Sequence, residues 1–251
     1  MLPSLRDCCL IFATTSLLSA AAAVRAEDSG GFELEGGGVW LTRNDARIPA
    51  DTGTEFDLRD LTGSGPAAYF RVGGEWNIND RHGLRVVLAP LEISGTGALA
   101  QDTDFVDTTF PAGPTEGKYK FSTYRLTYRY TFHDGEAWRW KVGFTGLIRD
   151  AKIELRQGDL QASDDNVGFV PLLHLNGVRR FGERWRFEFD FDGLAGGPGR
   201  AIDAALKFTY DLDDHWRLGA GYRTLEGGVD SDETFNFAWL HYGVLTAGYR
   251  F

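Results

Sequence analysis

The chain has 251 residues, a formal net charge of −10, 32 glycines and 14% aromatic residues. The acidic balance excludes nucleic acid as a partner, because phosphates select for Lys and Arg. Length allows one folded domain. No apolar run reaches the roughly 18 residues of a membrane-crossing helix, yet a membrane barrel stays open, since its inward polar and outward apolar residues cancel in any average.

Residues 1–26 read as a signal peptide: Arg6 in a short polar start, an apolar run from Leu10 to Val24, and Val24-Arg25-Ala26 before the cleavage point, with cleavage after Ala23 as the alternative. Cys8 and Cys9 precede the apolar run, so a lipoprotein is not indicated and the mature domain, 27–251, has no cysteine to pair.

From Phe32 the spacing predicts ten strands: Phe32–Thr42, Ala67–Ile78, Leu84–Ile93, Tyr119–Phe132, Trp138–Leu155, Val167–Phe181, Trp185–Leu194, Ala201–Leu212, Trp216–Leu225 and Phe235–Phe251. Eight or twelve are the neighbouring even counts. Four connections are tight and polar (79–83, 133–137, 182–184, 213–215), and they alternate with five longer ones (43–66, 94–118, 156–166, 195–200, 226–234). That alternation describes an antiparallel up-and-down meander with all its short turns at one end. Aromatic residues crowd that end: Trp76, Trp138, Trp185, Trp216, Tyr249 and Phe251, with Trp40 and Trp239 placed in an opposite belt. Such rings favour a bilayer interface, where an apolar body and a polar tip are both satisfied.

Within strands, apolar and polar residues alternate with period two. Trp185, Phe187, Phe189 and Phe191 are interleaved with Arg186, Glu188, Asp190 and Asp192. Two strands change phase, near Pro90 and near Asp150, which reads as a bulge or as the point where the strand leaves the membrane. The glycine pairs Gly36/Gly38 and Gly73/Gly74 suit the curvature of a small barrel.

The last seventeen residues, FNFAWLHYGVLTAGYRF, alternate throughout and end on Phe251. This strand resembles the closing strand of bacterial outer-membrane β-barrels, and the alternation of connections resembles the OmpA-like, OmpW-like and opacity-type small barrels. The fold expected is an all-β transmembrane up-and-down barrel in the bacterial outer membrane. Expected partners are outer-membrane lipid, lipopolysaccharide and, through the closing strand, the barrel-assembly machinery; the expected state is a monomer. Closure requires Phe235–Phe251 to pair with Phe32–Thr42. His241 falls on the lipid face near mid-height with no visible partner.

If apolar residues face outward, the lumen is charged. A barrel near eight strands is just filled by its own side chains, whereas an aqueous channel takes about 16–18. Arg85, Arg139, Arg186, Arg217 and Arg250 cluster at the short-turn mouth, either as an anion-selecting constriction or paired with Glu33, Glu35, Glu75 and Asp211. The three-residue third turn sets His174 across from Asp192 and Asn176 from Asp190, with Asp203 near Asp192 on the next strand. A His held by carboxylates can activate water, and the set loosely resembles that of the omptin proteases. It departs from them in lacking an Asp-x-His motif and a place at the outer rim; no His-x-Ser pair of the lipid A deacylase kind occurs either. No loop has the spacing of a calcium site, and neither metal nor cofactor is expected. The expected function is a non-enzymatic structural, adhesive or small-solute barrel, with a narrow pore or a barrel hydrolase as alternatives.

Overall fold

The computed structural model describes residues 29–197 and 199–251, so the expected signal peptide, with Cys8 and Cys9, lies outside the described residues. The elements, in chain order, are β1 (Gly30–Arg47), β2 (Phe56–Asp57), α1 (Arg59–Thr62), β3 (Ala67–Asn77), β4 (His82–Ala89), β5 (Glu92–Leu99), β6 (Thr103–Phe105) and β7 (Thr108–Phe110). The rest are β8 (Gly113–Asp134), β9 (Trp138–Gln157), β10 (Leu160–Phe181), β11 (Trp185–Gly196), β12 (Gly199–Asp211), β13 (Trp216–Asp230) and β14 (Phe235–Arg250). Among the described residues no helix is long and apolar enough to cross a membrane.

Neighbouring strands pair antiparallel in sequence order, and β14 closes on β1 with Phe32 opposite Tyr249 and Leu34 opposite Ala247. Because β4 and β5 both pair with β8, they are two halves of one barrel strand, and the barrel has ten. The short turns are built by side chains that stand in for the missing ladder. Asn79 Oδ1 accepts from the N–H groups of Arg81 and His82, and Asp213 Oδ1 from those of His215 and Trp216. The latter pair holds the Asp213 carboxyl below its ordinary range.

Apolar residues face outward through the middle of the wall: Leu126 is 55% exposed, Phe144 67% and Leu245 65%, while their neighbours Arg125, Thr145 and Thr246 are buried. The expected girdle residues Trp76, Trp185, Trp216, Tyr249 and Phe251 are all exposed on this face. Trp138 is half-buried, stacked on Trp140 with ring centroids 5.1 Å apart. The outward glycines make room for such rings more than they bend the wall. A Cβ on Gly38 would lie 3.2 Å from the Trp40 ring, and one on Gly74 would lie 3.0 Å from that of Trp76.

His241 does have partners. Its ring is 2.9 Å from Thr42 Oγ1 and 2.5 Å from the Tyr222 hydroxyl, beside Trp239 in the outer belt.

Neither expected phase change is a bulge. Ala89 pairs with Thr123 and Glu92 with Lys120, so the register runs unbroken past Pro90 and Leu91. The strand β9 is equally regular past Asp150. What inverts there is polarity. Toward the long-loop end, Leu91, Ile93, Tyr119, Ile153 and Leu155 point inward and are buried. On the outer surface Lys118 pairs with Glu92, Lys120 with Asp150 and Lys152 with Glu154. The strands have left the lipid and behave as a soluble sheet wrapped around an apolar core. Leu58 and Leu61, in and beside α1, and Phe105 and Phe110 of the β6–β7 hairpin fill that core. True register shifts occur instead between Leu41 and Arg43 and between Thr131 and His133.

Three of the expected long loops are mostly strand. Pairing on β9–β10 continues to Gln157 opposite Leu160, on β11–β12 to Gly196 opposite Gly199, and on β13–β14 to Asp230 opposite Phe235. One seam is incomplete: β10 pairs with β11 only from Phe181 up to Leu173, and residues 160–172 pair with β9 alone.

Candidate functional site

The inward face of the membrane-spanning strands carries a continuous ion-pair network. Its centre sets four guanidinium groups (Arg71, Arg85, Arg125, Arg223) against four carboxylates (Glu35, Asp190, Asp192, Asp203), all buried or nearly so. Arg223 grips Glu35 with two bonds, Nε–Oε1 at 3.0 Å and Nη2–Oε2 at 2.9 Å, and donates Nη1–H to Asp203 Oδ1 at 2.6 Å. Asp203 Oδ2 is also 2.7 Å from Arg125 and 3.2 Å from Arg71. Arg125 continues to Asp192 at 3.0 Å, and Arg85 donates to Asp190 at 2.7 Å. Fork-shaped guanidinium groups bridging two carboxylates each give a charge-balanced lattice across the lumen.

The pairings expected from the third turn are present: His174 lies opposite Asp192, Asn176 opposite Asp190, and Asp192 opposite Asp203. His174 Nδ1 is 2.8 Å from Asp192 Oδ1, which also accepts from Thr145 Oγ1 at 2.8 Å, while Oδ2 accepts from Arg125 and Arg85. A carboxylate with both oxygens doubly engaged has no lone pair left for water. Ligand atoms of His174, Asp190 and Asp192 lie within 4.8 Å of one another, close enough for a metal ion, but the guanidinium groups of Arg85 and Arg125 hold those oxygens.

Nearer the short turns, Lys207 pairs with Glu33 at 2.7 Å and with Glu188 at 3.5 Å, and Arg129 pairs with Glu75 at 2.6 Å. At the mouth, Arg186, Arg217 and Arg250 converge on Asp211 at 2.6, 2.8 and 3.6 Å. The five arginines expected there are therefore divided. Arg85 reaches up into the central layer, and Arg139 bonds Asp134 at the turn, at 2.8 and 2.9 Å. Glu33, Glu35 and Glu75 serve Lys207, Arg223 and Arg129 rather than the mouth arginines. These partners come from across the lumen, and strand tilt, which sequence spacing does not carry, decides which depths meet.

Sequence reasoning missed a second feature. Above the network, toward the outer end, lies a cavity of about 480 Å³ lined by Leu147, Leu172, Ile202, Leu225 and Ala238, with Arg125 and Asp203 as its floor. The inward apolar residues Leu147 of β9, Leu172 of β10, Leu225 of β13 and Ala238 of β14 were its sequence signal.

No protein-family model and no curated protein matches the sequence. Among solved structures, the outer membrane protease OmpT from Escherichia coli aligns with a TM-score of 0.60 at 8% identity, over 92% of this chain and 99% of that one. Ail, the attachment invasion locus protein of Yersinia pestis, in complex with the heparin analogue sucrose octasulfate, aligns at 0.40 and 11% identity, over 89% of this chain and 99% of that one. Neisserial surface protein A aligns at 0.38 and 10%, over 88% and 97%. At such identities the likeness is one of architecture. With its closed ten-stranded meander, outward apolar band and charged interior, the chain has the fold of the bacterial outer-membrane β-barrels.

Proposed function

We propose that the protein is a non-conducting, non-enzymatic barrel of the outer membrane, sealed at mid-height by its own side chains and working through its outward half as a small-solute binder. The observation that carries this reading is the central lattice of four guanidinium groups and four carboxylates, in which every group is ion-paired with at least one other. An ion crossing the barrel would have to break several buried pairs at once, each costing several kcal/mol. The protein acts as a monomer, with lipopolysaccharide around its outer belt and with the assembly machinery reading β14.

OmpT's name raises the hydrolase reading. Against it, His174 and Asp192 are 1% exposed and the Asp192 carboxylate is held by Arg85 and Arg125, out of reach of a peptide or lipid substrate. The test is conductance in planar bilayers. The intact barrel should give no resolved unitary current, and Arg125→Ser combined with Arg223→Ser should open one. A steady current through the unmodified protein would refute the sealed lumen.

A further inference from the structure

The β10–β11 seam parts above the Leu173–Gly193 pair, and the cavity above the ion network reaches that parting from inside. Its lining includes both lips of the gap, Phe169 to Leu172 on β10 and Leu194 and Gly196 on β11. Pro171 has no N–H to donate and stands where a continuing ladder would require one; proline is confined to such edges. Phe169, on the outward face beside the gap and opposite the exposed Ile148, is 70% exposed, so the lower part of this gap still presents apolar side chains to lipid. The chamber opens sideways into the bilayer and ends below on a charged floor.

Its upper end is different. A second, smaller cavity of about 140 Å³ adjoins the first, sharing Tyr119, Phe121, Arg149, Val229 and Asn236 with it, and is lined further up by Asp164, Asn166 and Ser231. At this junction the Tyr119 hydroxyl is buried with no hydrogen-bond partner, its side chain 1% exposed overall. Arg149 donates Nη2–H to Asn166 Oδ1 at 2.6 Å, its Nε is buried without an acceptor, and it makes no salt bridge among the described residues, its carboxylate neighbour Asp164 acting on it only at longer range. The Tyr119 hydroxyl is the sharper of the two signals, because the Nε atoms of Arg85 and Arg125 are also buried without a partner; a buried hydroxyl left unmatched beside a cavity is uncommon in native structures and marks where a partner belongs.

We propose that the chamber binds a single-chain amphiphile with an anionic oxygen head, a long-chain fatty acid. It enters from the bilayer through the β10–β11 gap, its alkyl chain lies against Leu147, Leu172 and Leu225, and its carboxylate accepts from Tyr119 and Arg149. The volume falls within the roughly 300–1,000 Å³ of small-molecule sites. This assignment rests on the sealed floor, which makes the chamber a pocket and not a passage.

The experiment uses the full-length barrel in phosphatidylcholine nanodiscs with radiolabelled palmitate as probe and hexadecane as the headless comparison. Saturable palmitate binding is expected. Arg149→Gln with Tyr119→Phe should weaken it about tenfold or more, the effect of losing hydrogen bonds to a charged group, while hexadecane binding stays unchanged. Leu172→Trp, which fills the chamber, should abolish both, and heat-shifted gel mobility shows that each variant is folded. No saturable binding by the folded parent, or equal palmitate binding by the double variant, overturns the proposal. If palmitate binds with the expected head dependence while the parent also conducts ions, the sealed-lumen reading falls and the fatty-acid site stands.

Discussion

Asp203→Asn is the most demanding test of the luminal network. Asp203 accepts from Arg223 at 2.6 Å, Arg125 at 2.7 Å and Arg71 at 3.2 Å, and its side chain is 4% exposed. The amide keeps the shape but removes one of the four central carboxylates, so the four guanidinium groups face three. It also turns an N–H₂ group toward one of those donors. Breaking a buried pair by removing one partner costs about 3–5 kcal/mol, because the other charge remains out of water. The comparison is Asp134→Asn, whose bond to Arg139 is half-exposed and worth no more than about 1 kcal/mol. Urea unfolding in bilayers, followed by the heat-dependent gel shift, measures both. A second substitution, Arg125→Met, should recover part of the loss by returning the layer to three against three. If Asp203→Asn costs no more than Asp134→Asn, or Arg125→Met only adds to it, the lumen is well hydrated and the lattice does not seal it.

Two further outcomes follow from the wall. At the closing seam Gly37 has φ +151° and a Cβ there would lie 2.0 Å from the Gly243 carbonyl oxygen, so Gly37→Ala should abolish the heat-shifted folded band, whereas Gly196→Ala, with nothing within 4 Å, should leave it intact. All seven tryptophans (40, 76, 138, 140, 185, 216 and 239) fall in the two belts. Lipids brominated near the headgroup should therefore quench their fluorescence more strongly than lipids brominated at the chain ends, and the reverse order would refute the placement of the girdles.

Much of this was legible because a membrane barrel repeats a simple rule. Period-two alternation located every barrel strand, with the short-turn ends right to within about two residues and the outer ends short by up to seven, and the three-residue turn at Gly182 was short enough to place His174 opposite Asp192. Two things were not legible. Pairs that cross the lumen, such as Lys207 with Glu33 or Arg85 with Asp190, join strands far apart in sequence whose relative height depends on tilt accumulated around the barrel. The outer extensions of β5, β8 and β10 looked like loops because their outward residues are polar. The alternation persists there with its sense reversed, and a reading tuned to apolar-out, polar-in takes that reversal for the end of the strand.

That reversal also fixes the barrel's depth. The paired charges on the outer faces of β5, β8 and β9 form a collar just above the apolar band. Sinking the barrel toward the periplasm would drag Lys118, Lys120 and Lys152 into hydrocarbon, at about 2–4 kcal/mol for each at the midplane. Raising it would pull the lower girdle out of its interface. The protein is held between the two, the charged collar on one side and the lower aromatic girdle on the other. Its gap and chamber are thereby held at one fixed depth in the outer leaflet.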